Sequence, residues 1–167
     1  MSLIVEDGTG IVDAESYCTV AFADTYHVAR GNETTWRDQD KPVKEIALRK
    51  ATEYIDLRFG SRFKGSVEFP DTPQALLFPR IDIEGYTDVP ICLQRAVAEY
   101  ALRSLTTALA PDPTADATGR AVAFRSEKVG PIQEKTGYFN VVSPFSSYPL
   151  ADALLRPLLI YTGGVTR

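Results

Sequence analysis

The stretch DKPVKEIALRKATEYIDLRFG, residues 40–60, decides the fold class. Asp40 stands where an N-cap belongs, Pro42 falls in the first turn where its missing N–H is tolerated, and Gly60 stops the pattern. Between them Val43, Ile46, Ala47, Ala51, Tyr54 and Ile55 recur at helical spacing and predict one apolar face. Lys41/Glu45, Glu45/Arg49 and Arg49/Glu53 fall at i,i+4 on the other side, each pair worth only ~0.3 kcal/mol. A second pattern runs from Pro90 to Ala108. Leu93, Ala96, Val97, Tyr100, Ala101, Ser104, Leu105 and Ala108 mark one face, while Leu102 and Leu109 sit off it. That helix is expected to be buried on two sides, as a central pillar. A shorter helix is expected from Val20 to Arg30, capped by Thr19 and stopped at Gly31, with Phe22, Tyr26 and Ala29 at helical spacing.

Three main helices predict a mainly α fold, a small helical bundle over residues 1–110. Residues 31–40 are polar apart from Trp36 and read as a connection. QALLFPR, residues 74–80, reads as one helical turn or an extended piece laid on the core. The run PDPTADATG, residues 111–119, reads as a linker. Beyond it, residues 121–130 alternate well enough for a strand, and residues 132–142 give a weaker second one. Residues 120–149 are therefore expected to form a minor β-hairpin arm and a loop. Residues 150–167 are expected to form a short C-terminal docking helix, bent by Pro157, and a tail.

Composition narrows the function. Of 167 residues, 18 are basic and 22 acidic, so the net charge is −4. No run approaches the roughly 18 consecutive apolar residues of a membrane span. The N-terminus lacks a basic region followed by an apolar core, so no signal peptide and no membrane partner are expected. Cys18 and Cys92 make no framework and read as reduced thiols, and His27 is the single histidine. A zinc site or a His-dependent triad would have to rest on that one residue.

The local signals for chemistry are weak. Gly8-Thr9-Gly10 resembles the start of a phosphate loop but lacks its remaining residues, and a turn is the simpler reading. Asp82 and Glu84 lack further oxygen ligands at calcium-loop spacing and read as a solvated loop. His27 reads as a structural histidine rather than a general base paired with Asp24 or Glu33. No enzyme activity, no metal and no cofactor are expected. Arg58, Arg62 and Lys64, interleaved with Phe59 and Phe63, make a candidate DNA-facing patch of the kind that stacks single-stranded bases. Arg120, Arg125, Lys128 and Lys135 form a second basic strip along the strands.

Two groups of apolar residues need cover. In the arm these are Val122, Phe124, Val129 and Ile132, since a lone two-stranded hairpin is marginal. At the end of the chain they are Leu150, Leu154, Leu155, Leu158 and Leu159. The leucines either cover their own body or dock on a neighbouring subunit. The docking alternative points to an assembly protein, and on it a chain cut after Val142 is expected to leave a soluble body that no longer docks.

The order of motifs supports assembly. VEDGTG and a following SY precede the first helix, which ends in ARG. EIALRKATEYID, QALLFPR and VPICLQRAVAEYAL come next, and SEKVGPI and YPLADALLRPLL close the chain. From Ile4 to Leu159 this order resembles the head-tail connector (adaptor, head-completion) proteins of tailed bacteriophages, in the branch often labelled DnaT-like single-stranded DNA-binding. The resemblance implies a ring, usually a dodecamer, located in the virion neck and assembled in the host cytoplasm. Such a ring attaches below the portal protein, extends the channel for genomic double-stranded DNA, and offers a platform to a tail-side neck or terminator protein. It also implies an inter-subunit arm carrying Phe124, Ser126, Glu127, Lys128, Val129 and Ile132, with the Leu150–Leu159 segment docking on the portal or a neighbour. A passive conduit should not grip phosphates, which suits a net negative chain. The alternative is a DnaT-like single-stranded DNA-binding protein that uses the patch at Arg58, Arg62 and Lys64.

Overall fold

Nineteen residues from Lys41 to Phe59 form the longest helix of the computed structural model. The structure describes residues 2–31, 33–69, 74–86, 88–112, 122–128, 133–138 and 145–160, with backbone alone for 33, 122–128 and 133–138. In chain order the elements are α1 (Val20–Val28), α2 (Glu33–Arg37), α3 (Lys41–Phe59), β1 (Ser66–Val67), β2 (Arg80–Ile81), α4 (Ile91–Ser104), β3 (Val122–Lys128), β4 (Gln133–Tyr138) and α5 (Pro149–Leu155). The fold is mainly helical with a small antiparallel hairpin. No helix of the described residues is long and apolar enough to cross a membrane.

Residues Met1–Leu109 and Ser147–Arg167 belong to one unit, and Ala110–Ser146 to a second. In the first, α3 and α4 pack together and α5 packs on α4. The pillar expected of α4 is present: Leu93, Ala96, Val97, Ala98, Tyr100 and Ala101 are all fully enclosed. It stops at Ser104, four residues before the expected Ala108. Thr19 caps α1, its hydroxyl accepting from the Phe22 amide at 3.1 Å. The stretch 31–40, read as a connection, contains α2, which a single buried aromatic, Trp36, ties to the body.

On α3 the buried face is rotated from the expected one. Leu48, Ala51 and Ile55 lie at its centre, with Ala47, Thr52, Tyr54 and Phe59 beside them, whereas Val43 and Ile46 point outward at 39 % and 49 % exposed. The reason is polar burial. Lys44 faces inward because Asp24 receives its Nζ at 2.9 Å, and Glu45 lies buried beside Lys41 at 3.9 Å. Arg49 pairs with Glu15 at 2.8 Å instead of with its own helix.

Gly8-Thr9-Gly10 is a turn built around an anion of its own. The buried Glu6 carboxylate accepts the Gly8 and Gly10 amides through Oε1, both at 2.9 Å, and the Ile11 amide through Oε2 at 2.8 Å. Gly8 (φ 102°) and Gly10 (φ 75°) supply the left-handed backbone that turns those amides inward. The place a phosphate would take is filled by a side chain. QALLFPR forms no helical turn: it bends through residues 75–77, where Gln74 Nε2 donates to the Leu76 and Pro79 carbonyls at 2.7 and 3.1 Å, and a cis Phe78–Pro79 bond leads into β2, which pairs with β1; Phe78 is buried.

Of the two alternatives for the leucines at the end of the chain, three of the five take the first, cover by their own body. Leu155 and Leu158 are fully buried and Leu159 nearly so, within the body of their own chain. Pro157 ends the α-helix, and Arg156–Leu158 continue as a 3₁₀ turn. The backbone then pairs with the segment after α3: the Lys64 amide donates to the Leu158 carbonyl at 2.9 Å and the Ile160 amide to the Arg62 carbonyl at 2.7 Å. Covering these leucines internally removes them from water without a second chain, at roughly 2 kcal/mol each. Leu155, Leu158 and Leu159 are thus not available for docking, Leu154 is half-buried, and Leu150 is the exposed one at 55 %.

A chain cut after Val142 therefore exposes the α4 face under α5 and is expected to aggregate, not to persist as a soluble body. Leu155→Ala is expected to lower stability by about 2–5 kcal/mol in urea unfolding. A soluble, cooperatively melting truncation contradicts the packing described.

Candidate functional site

The basic-aromatic stretch that follows α3 is where the structure bears most directly on nucleic-acid binding. Helix α3 delivers Phe59 to the core at its last turn, and a 3₁₀ turn, Gly60–Arg62, swings Phe63 inward against Phe78 with ring centroids 5.0 Å apart. Both phenylalanines are 3 % exposed. Neither ring has a free face on which a base could stack. Arg58 is turned sideways into the body, Lys64 reaches back to the Pro157 carbonyl at 2.8 Å, and Arg62 is exposed.

Arg58 is the centre of a polar clamp. Its Nη1 and Nη2 donate to the two carboxylate oxygens of Asp152 at 2.9 and 2.8 Å, a bidentate pair, and Nη1 also donates to the Tyr54 hydroxyl at 2.9 Å. Tyr100 on α4 donates its hydroxyl to the same carboxylate, and Ser147 adds a hydroxyl at 3.3 Å. The rings of Tyr54, Tyr100 and Tyr148 pack around it at centroid distances of 5.0–6.4 Å. Burial, then the hydrogen bond to Asp152, pushes the Tyr100 hydroxyl far above its ordinary range. One carboxylate on α5 thereby pins α3, α4 and the returning chain. The clamp holds structure.

Two further carboxylates hold elements together, Glu99 enclosed and Asp56 half-buried. Glu99, 1 % exposed in the middle of α4, accepts the Tyr26 hydroxyl at 2.9 Å and the Arg103 guanidinium at 2.5 Å. Asp56 on α3 accepts the Tyr17 hydroxyl at 2.8 Å and the Leu77 amide at 3.3 Å, fastening the QALLFPR segment to the helix. Burial raises the Asp56 carboxyl to about 6 against the lowering pull of those hydrogen bonds and of Arg80.

His27 is fully buried. Its Nε2 meets the Ala98 carbonyl at 3.1 Å, so the proton sits on Nε2, and burial lowers its pKa and keeps the ring neutral. Nδ1 has no partner among the described residues. Asp24, one of the two carboxylates weighed as its companion, accepts from Trp36 Nε1 at 2.6 Å and Lys44 Nζ at 2.9 Å. The cleft beside them is about 150 Å³. Asp82 and Glu84 are exposed, and no three His, Cys, Asp or Glu side chains gather for a metal among the described residues. Burial pushes the Cys18 thiol up to about 12, which makes it inert.

Four of the six arm residues fall within the hairpin's strands. Phe124, Ser126, Glu127 and Lys128 lie on β3, paired with Gly137, Lys135, Glu134 and Gln133 of β4, with an irregularity between Val122 and Phe124. Val129 and Ile132, linker residues 113–119 and loop residues 139–144 lie outside the described residues.

Sequence reasoning missed Asp152, Glu99 and Glu6. Glu99 had a signal: a lone carboxylate inside an apolar helical stripe with an arginine four residues on. Asp152 had none, because its partner lies 94 residues away.

The described residues thus form a closed helical body and a separate hairpin, with polar clusters that hold the fold. The family model described as "Putative DnaT-like ssDNA binding protein" matches residues 1–167, and the chain belongs to that family. No curated protein and no solved structure matches it.

Two outcomes follow from the clusters. Asp152→Ala leaves Arg58 enclosed without its counter-charge and is expected to cost about 3–5 kcal/mol, whereas Arg58→Met/Asp152→Leu should recover most of that loss in thermal unfolding. For Asp56, a carboxyl pKa raised on folding means the folded state binds the proton more tightly, so its ionisation removes stability as pH rises through about 6. Asp56→Asn is expected to raise Tm at pH 7, by an amount that shrinks toward pH 4. A lowered Tm at pH 7 contradicts the burial argument.

Proposed function

We propose that the protein is a structural subunit of the neck of a tailed bacteriophage, forming a ring below the portal that extends the DNA channel and carries the tail-side proteins. The observation that carries this reading is the division of the chain. A helical body closes on itself through α5, and a two-stranded hairpin forms a unit of its own between α4 and α5. Two strands with no third partner are marginal in water. A ring subunit needs two unlike patches, one to offer and one to receive, and an arm beside a body supplies them. The order of sequence motifs from Ile4 to Leu159 supports the same reading. In it the chemistry is passive: packing between subunits, an acidic balance that does not hold duplex DNA, and no catalytic step. The arm, rather than the leucine segment, makes the subunit contacts, with Leu150 the terminal leucine still open to a neighbour.

The second reading is single-stranded DNA binding, favoured by the description of the family. It would have to use Arg62, Lys64 and the hairpin's basic strip without the stacking faces of Phe59 and Phe63, which are buried.

The deciding experiment mixes the protein with purified portal rings for negative-stain imaging and mass measurement, beside a gel shift with labelled single-stranded DNA at ~0.15 M salt. The neck reading expects a ring stacked coaxially on the portal and no DNA shift. A tight DNA shift with no portal complex reverses it. Phe124→Asp/Val129→Asp is expected to abolish the ring while leaving the helical circular dichroism and Tm of the body unchanged, since a charge at a desolvated contact costs several kcal/mol. An intact ring in that variant removes the arm from the interface.

A further inference from the structure

The outward face of α3 is amphipathic in its own right. With Leu48, Ala51 and Ile55 turned into the body, the opposite side of the helix carries Ile46, Lys50, Glu53 and Leu57, spaced four, three and four residues apart. This is the a/d spacing of a helix-pairing seam, and Val43 continues it toward the N-terminus. Val43, Ile46 and Leu57 are 39 %, 49 % and 69 % exposed, and Lys50 and Glu53 are exposed. These exposures explain why Val43 and Ile46 look like core residues in the sequence: the helix has two apolar faces, and its own chain covers one.

The seam is complementary to itself when reversed. Ile46 and Leu57 are centred on the same point of the helix as Lys50 and Glu53, between Ala51 and Thr52. A two-fold axis through that point sets Ile46 against the partner's Leu57, Lys50 against the partner's Glu53, and repeats both pairs on the other side. Apolar contacts then close the two ends, about 16 Å apart at 1.5 Å per residue, and opposite charges meet in the middle. A parallel pairing instead stacks Lys50 on Lys50 and Glu53 on Glu53. Beside Leu57 lies a groove of about 350 Å³ that Ala75 and Leu76 also line, giving the partner's Ile46 a second apolar wall.

We infer that this face of α3 pairs antiparallel with α3 of a second copy of this chain, making an isologous dimer. Such a contact closes at two copies, whereas a ring needs heterologous contacts, so the inference goes beyond the neck reading and stands independently of it. A single helix pair is small for an interface, which makes the dimer a weak one that forms in the micromolar range.

The test is sedimentation equilibrium on the full chain from ~10 to ~300 µM, with charge-swap variants. Wild type is expected to move from one to two 18.4 kDa masses across that range. Leu57→Glu should be monomeric throughout with unchanged helical circular dichroism and Tm, because Leu57 contributes nothing to the core. Lys50→Glu and Glu53→Lys singly should each weaken the dimer at least about tenfold, since each sets like charges opposite one another twice. Lys50→Glu/Glu53→Lys should restore it, a rescue that only the antiparallel register gives. A wild type that stays monomeric, a larger assembly indifferent to Leu57→Glu, or a double swap that fails to recover the dimer each overturns the inference.

Discussion

The bidentate pair between Arg58 and Asp152 closes the helical body. Arg58 leaves α3 near its C-terminal end, where the core is already occupied by Phe59, and finds on α5 a carboxylate that takes both of its arms. Tyr100 of the enclosed α4 donates to that same carboxylate, so three helices meet at one residue. The consequence is topological. After α4 the chain leaves to make the hairpin and returns at Ser147, and what it returns to is a site prepared by Arg58, Tyr54 and Tyr100. Without that return Leu155 and Leu158 have no cover, and the exposed α4 face has none either. A buried ion pair of this kind contributes little net energy compared with an apolar replacement, but it specifies one arrangement and penalises others.

The same economy recurs elsewhere in the body. Glu6 fills the ring of amides that Gly8 and Gly10 turn inward, Asp56 fastens the QALLFPR segment to α3 through Tyr17, and Glu99 sits under Arg103 and Tyr26. Each of these acids is answered by hydroxyls, amides or a guanidinium. These acids are thereby engaged in holding the fold, and among the described residues the outward α3 face, Leu150 and Arg62 are exposed. That distribution is what one expects of a protein that works through surfaces.

Much of the architecture was legible in the sequence. The helices at Lys41–Phe59 and Ile91–Ser104 announced themselves by period, the first also by its stop at Gly60, Thr19 by its place as a cap, and the hairpin by alternation after the proline-rich run. What was illegible has definite causes. The face of α3 was misjudged because Val43 and Ile46 are apolar and outward while Lys44 and Glu45 are charged and inward, and the partner that makes Lys44 tolerable, Asp24, lies on another helix. The short helix α2 was missed because five residues with one large apolar side chain carry no period. The leucine segment was left between covering its own body and docking elsewhere because composition counts apolar residues but does not say which surface covers them; the covering surface, α4, was itself read as buried on two sides. Of the candidate site, Arg58 was singled out as a DNA-facing residue rather than as half of an ion pair, and its partner Asp152 was not singled out at all, since a pairing across 94 residues leaves no local pattern.

The account turns on the segment after the hairpin being core rather than appendage. Native-state hydrogen exchange measures this directly. The amides of Leu155, Lys64 and Ile160, the last two bonded to the Leu158 and Arg62 carbonyls, should exchange at the rate of the α4 amides, through opening of the whole body. Rapid exchange from residue 149 to 160, with α4 still protected, would contradict the account and return the segment to the role of a free docking helix.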